Sequence, residues 1–198
     1  MNRTTSRLLL IIVAVLVAVV FFSGKPSQVK TPDQVTKMKS FDKIVSVTSC
    51  DVVFEQGADC SVRVDAEEVQ LKAVAIYVKH GCLRVAPKYD NFILRGIQRM
   101  IHGGKDINLE GMTLHITSPE ICKISMGGTG SFITLNGINA KNLDIHLIGS
   151  GNIVINNLKV EDVKTHSIGS GNVYLKGEAT HHQEYLAGDG TVDVSGLK

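Results

Sequence analysis

The side chains with which this 198-residue chain could perform catalysis or bind a metal are its seven histidines, 19 acidic residues and four cysteines. His146 and His166 stand twenty residues apart, with His181 and His182 further on. Imidazoles brought side by side are ligands for a transition metal, and they titrate close to neutral pH. Polysaccharide cleavage would instead require two carboxylates at a fixed separation or an acid–base pair in a groove. Asp51, Asp189 and Asp193 occupy differing positions in the pattern described below, and none has a second carboxylate one repeat away, so they read as scattered surface acids. Cys50, Cys60, Cys82 and Cys122 include no C-x-x-C spacing, which argues against a structural zinc site. Cys60 and Cys82 each directly precede a short alternating stretch, Ser61–Val64 and Leu83–Val85, and are the expected disulfide pair if the compartment is oxidising.

The elements that would position these groups are written in a repeat. Gly-Gly-Thr-Gly at 127–130 is followed by Ile-Gly-Ser-Gly-Asn at 148–152, the same five residues at 168–172, and Ala-Gly-Asp-Gly-Thr at 187–191. The final glycines, Gly130, Gly151, Gly171 and Gly190, are spaced by 21, 20 and 19 residues, and Gly149, Gly169 and Gly188 precede the last three by two positions. Each motif leads into an alternating apolar stretch, such as Asn152-Ile153-Val154-Ile155 or Asn172-Val173-Tyr174-Leu175, and follows another, clearest in Leu143-Asp144-Ile145-His146-Leu147. Period-2 alternation is the signature of a half-buried strand. Glycine at a sharp bend between strands answers a steric need, because only a residue without Cβ takes positive φ freely. Because Gly-Ser-Gly leads into a strand, it lacks the helix N-terminus that a phosphate cradle requires.

A repeat of about twenty residues is too short for a pair of helices and matches one coil of a β-solenoid. An antiparallel sandwich also has short strands and regular turns. Near-identity over a whole period favours the solenoid. The predicted fold is therefore all-β, a single-stranded right-handed parallel β-helix with coils of about 20 residues. Stacking would bring equivalent residues to about 4.8 Å from one another. Ile153, Val173 and Val192 would then form one interior column, beside Ile155, Leu175 and Val194. Outside, Asn152 and Asn172 would form an amide ladder, Lys123, Asp144 and Lys164 a column of alternating sign, and His146 and His166 a neighbouring pair. The histidine column continues with Ser125 and Tyr185, neither a strong metal ligand, so a solvated ladder is expected and no cofactor is called for. Val47–Phe54 fits the same template with Cys50 in the glycine position, which sets the start of the pattern near Phe41.

The uninterrupted apolar run Leu8–Phe22 follows Arg3 and Arg7, the arrangement of an export signal. No small-residue cleavage pair follows it, so residues 1–24 read as a signal anchor, with a cleaved signal peptide as the alternative, and either leaves the rest of the chain outside the cytoplasm. Pro26 and Pro32 mark residues 25–40 as a tether, and residues 41–198 are left as one domain. Without residues 1–24 the chain carries 19 basic and 19 acidic side chains, a neutrality that excludes the basic surface on which nucleic-acid binding depends. Asp90 to Lys105 breaks the strand rhythm; Ile93, Ile97 and Ile101 at helical spacing, with Arg95, Arg99 and His102 on the other arc, predict a short amphipathic helix acting as a cap.

The order Phe41-x-x-Ile44, Val52-x-Phe54-x-Gln56-Gly57, Leu83-x-Val85, Ile116-Thr117-Ser118-Pro119, the Gly-Ser-Gly repeats and Leu175-x-Gly177-x-Ala179 resembles the "putative auto-transporter adhesin, head GIN domain" family over about Phe41 to Leu197. The resemblance implies a right-handed parallel β-helix in the bacterial cell envelope and supplies no catalytic residues. Many relatives are lipoproteins with an N-terminal Cys, which is absent here, and many continue with further rungs. The expected function is an extracytoplasmic binding or adhesion-type module without catalytic activity, contacting a glycan or protein ligand. The alternatives are a structural or scaffolding envelope protein and a carbohydrate-active enzyme. The membrane is an expected partner through residues 8–24, and a second copy of the chain is another, added at the unpaired edge of the terminal coil.

Overall fold

The computed structural model describes residues 34–88 and 109–198. The signal anchor at residues 1–24, most of the tether and the helix expected within residues 90–105 lie outside the described residues. What is described is all-β, one curled 13-stranded sheet with a single short helix. In chain order the strands are β1 (Thr36–Lys37), β2 (Lys43–Val47), β3 (Asp51–Gln56) and β4 (Ser61–Asp65), followed by helix α1 (Glu68–Ala73). Next come β5 (Val74–Lys79), β6 (Cys82–Pro87), β7 (Thr113–Ser118), β8 (Lys123–Gly128) and β9 (Phe132–Thr134). Three long strands, β10 (Ile138–Gly149), β11 (Asn152–Gly169) and β12 (Asn172–Ala187), precede β13 (Thr191–Leu197).

From β8 onward each strand lies parallel to its equivalent one repeat later. Asp144 pairs with Lys123 and Lys164, His146 with Ser125 and His166, and Ile153 with Phe132 and Val173. Inward positions form apolar columns for the reason given by the alternation: Leu143, Ile145, Leu147, Ile153, Ile155, Val163, Val173 and Leu175 are all buried. Val192 takes its place beside Val173; the β12–β13 register then shifts between Tyr174 and Lys176, and Lys176 pairs with Gly196. The interior also changes character along the stack. Ile44, Ile124, Ile145, Thr165 and Glu184 succeed one another in register, as do Val163 and His182. The apolar column thus ends in polar side chains, and His182 and Glu184 are exposed on β12.

Glycines hold the corners because the rungs approach too closely for a Cβ. A Cβ on Gly149, Gly169 or Gly188 would overlap the carbonyl oxygen of the glycine one rung earlier, and one on Gly151, Gly171 or Gly190 would do the same in the neighbouring column. Cys50 occupies the head of that second column: its carbonyl is the group a Cβ on Gly130 would strike.

The N-terminal half departs from simple winding. β2 and β3 pair in parallel with β8 and β9, about eighty residues away in sequence, and the intervening chain adds strands to their other edges. There β6 joins β2 and β7 joins β3 in parallel, whereas β4 pairs antiparallel with β7 and β1, and β5 with β6 in a hairpin. These antiparallel strands explain why Cys60 and Cys82 are not bonded. Cys60 precedes β4 and its thiol faces Ser118 Oγ at 3.6 Å, while Cys82 lies on β6 between β2 and β5. All four cysteines are free thiols, so the expected disulfide is corrected.

Candidate functional site

The residues singled out by sequence are carried on the outward positions of β8, β10, β11 and β12, where flat parallel pairing places like side chains side by side. The rings of His146 and His166 stack with centroids 4.9 Å apart and planes 14° apart, and Tyr185 continues the row 6.1 Å from His166. His146 is half-buried between its neighbours. Burial pushes its pKa down to about 4, with Lys123 and His166 acting in the same direction and Asp144 against them. At neutral pH His146 is therefore an uncharged ring, and the row presents aromatic edges. On one side runs the row Lys123, Asp144, Lys164; on the other run Gly127, Ile148 and Ile168, with Ile148 partly exposed. Among the described residues no group of three or more His, Cys, Asp or Glu converges as a metal site would require.

The amide ladder lies on a different face. Asn172 Nδ2 donates to Asn152 Oδ1 at 3.0 Å, and the Thr191 backbone N–H donates to Asn172 Oδ1 at 3.1 Å. The same column begins with the Ser131 N–H donating to Asp51 Oδ1 at 2.8 Å. The side-chain oxygens accept across rungs, so the ladder fixes register.

Sequence reading missed two polar constellations. Arg63 on β4 faces His115 on β7, and Asp65 receives both, Arg63 Nη1 at 2.7 Å and His115 Nε2 at 2.8 Å. An aspartate that orients an imidazole is part of a nucleophilic triad only when a hydroxyl or thiol adjoins the ring; here the third member is a guanidinium, and the arrangement is an ion-pair network. The second constellation explains two of the motifs. Gln56 Nε2 donates to Pro119 O at 2.8 Å and Asn139 O at 3.0 Å, while its Oε1 accepts from the Asn139 N–H at 2.7 Å. Its backbone is matched in turn by the Asn136 side chain, which donates to Gln56 O and accepts from Gln56 N–H. The glutamine side chain thus stands in for a missing strand. Ser118, fully buried, lies within hydrogen-bonding reach of Phe41 O and Glu120 O, tying the opening motif to the Ile116–Pro119 motif. Only their partners, 63 to 83 residues away, reveal these roles.

Three of the four thiols, Cys50, Cys82 and Cys122, are held away from the reactive thiolate form. Burial raises the pKa of Cys50 to about 11; burial and the neighbouring Asp42 carboxylate, to which Cys122 Sγ donates at 3.2 Å, raise that of Cys122 to about 11. Burial also raises Cys82. A thiol so shifted is protonated, hence a poor nucleophile, at neutral pH.

A family model described as "Putative auto-transporter adhesin, head GIN domain" matches residues 40–198. No curated protein matches the chain. Among solved structures, a putative adhesin from Bacteroides fragilis is similar with 24% identity and a TM-score of 0.71, covering 88% of this chain and 75% of that one. A structure named as a putative lipid binding protein from Parabacteroides distasonis has 19% identity and a TM-score of 0.62, covering 88% and 76%. A putative adhesin from Parabacteroides merdae has 18% identity and a TM-score of 0.59, covering 88% and 75%. At these identities the likeness is one of fold.

Proposed function

The chain belongs to the head GIN domain family of putative auto-transporter adhesins, and from that membership we propose that it is an extracytoplasmic adhesion-type module, held at the membrane by residues 8–24, whose outward face contacts a glycan or protein ligand. Its scaffold, in this reading, is a right-handed parallel β-helix. The parallel register of β8 through β13 and the two glycine columns support it, since both repeat once per winding.

The observation that carries the functional reading is the repetition of outward side chains at strand spacing. The stacked His146 and His166, extended by Tyr185, present an aromatic ring on three successive rungs beside the partly exposed Ile148. A surface that repeats along one axis suits a ligand that also repeats. An enzyme of polysaccharides would require two carboxylates at a defined separation or an acid–base pair in a groove. Two histidine–acid pairs meet among the described residues: His115 and Asp65, joined by Arg63, and His181 and Asp162, exposed, with Nδ1 3.5 Å from Oδ1. The second reading, a scaffolding protein of the envelope, is favoured by the amide ladder and Gln56, whose polar groups are used internally. Glycan-array binding by the full chain separates the two: specific binding supports the adhesion-type module, and its absence favours the scaffold. Turnover of a polysaccharide by the purified chain, abolished by one carboxylate substitution, overturns both.

A further inference from the structure

A groove of about 790 Å³ crosses β10, β11 and β12 away from the histidine row. Its floor is the register row Ala140, Val160 and Ala179, in which Ala140 and Ala179 are partly exposed and Val160 between them is buried in the core. One wall is the exposed row Asn139, Lys159 and Glu178, one residue from each rung. The other is Lys141, Glu161 and Thr180, in which Lys141 Nζ lies 3.8 Å from Glu161 Oε2; Lys198 borders the groove. The backbone beside Asn139 is fixed by the Gln56 amide, so this end of the groove is built on a rigid strand.

The chemistry of these rows selects a ligand class. Three strands at the usual spacing extend the groove about 10 Å along the stacking direction, and its volume lies in the range of small-molecule sites. Because each wall pairs an ammonium with a carboxylate on the next rung, the groove has no single-sign field to hold a polyanion. The floor is apolar but narrow, and both walls are charged, which leaves an acyl chain without the apolar enclosure it needs. What the rows do supply is an amide, a hydroxyl, ammonium donors and carboxylate acceptors on either side of a shallow apolar strip. A pyranose has the matching arrangement: hydroxyls around its edge, C–H groups on its face, and a length comparable to the thickness of one rung.

We propose that this groove binds a neutral linear glycan running along the stacking direction, about one sugar per rung, with ring faces over Ala140, Val160 and Ala179 and hydroxyls held by Asn139, Lys159, Glu178 and Glu161. The inference rests on the adhesion-type reading and gives it a site and a ligand class. Asn139, Lys159 and Glu178 are exposed and their side chains are outside the core, so their replacement leaves the fold intact.

The test is binding of the full chain, in a detergent without a sugar headgroup, to printed linear oligosaccharides of three to six units: cello- and chito-oligosaccharides, with uronate and sulfated chains of equal length. The expected result is binding to a neutral series, weakened at least tenfold in Lys159→Ala/Glu178→Ala and unchanged in Glu68→Ala/Lys72→Ala, an exposed ion pair on α1, with the same far-UV circular dichroism throughout. Neutral-glycan binding that survives the groove variant and is lost in His166→Ala/Tyr185→Ala overturns the groove and leaves the adhesion-type reading standing. Preference for the anionic chains, or for phosphatidylcholine vesicles over all glycans, overturns the ligand class. Absence of glycan binding in every form overturns the groove together with glycan adhesion.

Discussion

Replacing single glycines by alanine separates the two reasons for which a corner residue lacks a side chain. Gly169 has φ of +120° and a carbonyl of the preceding rung where its Cβ would stand. Gly171 has no such φ, but its Cβ would overlap the Gly151 carbonyl and lie 2.8 Å from Leu147 Cδ2. Gly111 has φ of +80° with nothing within 4 Å of an added Cβ. For Gly111→Ala only the backbone conformation is charged, about 1 kcal/mol. For Gly171→Ala the rungs must part, weakening the Asn172 N–H bond to Gly151 O and the packing of Leu147, together about 2–3 kcal/mol. Gly169→Ala incurs a φ cost of about 1–3 kcal/mol and also strains the bonds that Ser170 and Gly171 donate to Gly149 O, for a total of about 3–5 kcal/mol. The order of destabilisation is Gly169 > Gly171 > Gly111, measured as the shift of the urea midpoint by circular dichroism at constant slope. A Gly171→Ala protein no less stable than Gly111→Ala refutes the close approach of rungs on which the fold is argued.

Acidification tests the histidine row. His146 titrates at about 4 in the folded chain against an ordinary 6.5, so below 6.5 the unfolded chain takes up a proton that the folded chain refuses, and stability falls from pH 6.5 toward 4. The gap sets a ceiling of roughly 3 kcal/mol; partial exposure of the ring reduces it to about 1–2 kcal/mol. His146→Asn flattens the urea midpoint across this window, and an equal loss in both proteins removes His146 as the cause. Gln56→Ala deletes three side-chain hydrogen bonds and lowers stability by about 1–3 kcal/mol; Gln56→Glu, despite equal size, is no better at pH 7, because a carboxylate then faces Pro119 O and Asn139 O. A Gln56→Glu chain as stable as the unaltered one contradicts the assigned donors. A second copy adding at the edge of β12 beyond Ala179, past its pairing with β13, gives a dimeric mass in sedimentation at micromolar concentration, reduced to monomer by Leu186→Lys; a monomeric mass for the unaltered chain rejects that contact.

Which parts of this structure could be read in the sequence follows from how far apart partners lie along the chain. Between Lys123 and Leu197 each strand pairs with the one a repeat away, so spacing specifies the partner as well as the face: His146 meets His166, Asn152 meets Asn172, and Lys123 and Lys164 flank Asp144. The same alternation in Ser61–Asp65 gives its buried face, Val62 and Val64, without saying that β4 runs antiparallel to β7, because side-chain periodicity is identical in the two senses of pairing. That ambiguity hides the meeting of Arg63, Asp65 and His115, and it hides that Cys60 and Cys82 are not partners, since Cys60 leads into β4 and Cys82 lies on β6, strands with different neighbours.

Gln56 and Ser118 show the complementary limit. Both sit in recognisable motifs, yet neither composition nor spacing indicates what a glutamine or serine there is for. Their partners come from segments that meet only because β2 and β3 stack on β8 and β9 across the excursion of β4 to β7. A parallel backbone ladder cannot continue where the chain leaves it for an insertion. Gln56 supplies the missing donors and acceptor to Asn139, and Asn136 does the same for the backbone of Gln56. The groove begins at that substitution of side chain for strand: Asn139, the residue Gln56 fixes, is the first member of its wall. The family motif at Gln56 is thus connected to the proposed ligand through one strand, and the Gln56→Ala chain should lose glycan affinity in step with the loosening of Asn139, while the distant His146 and His166 stack remains in place.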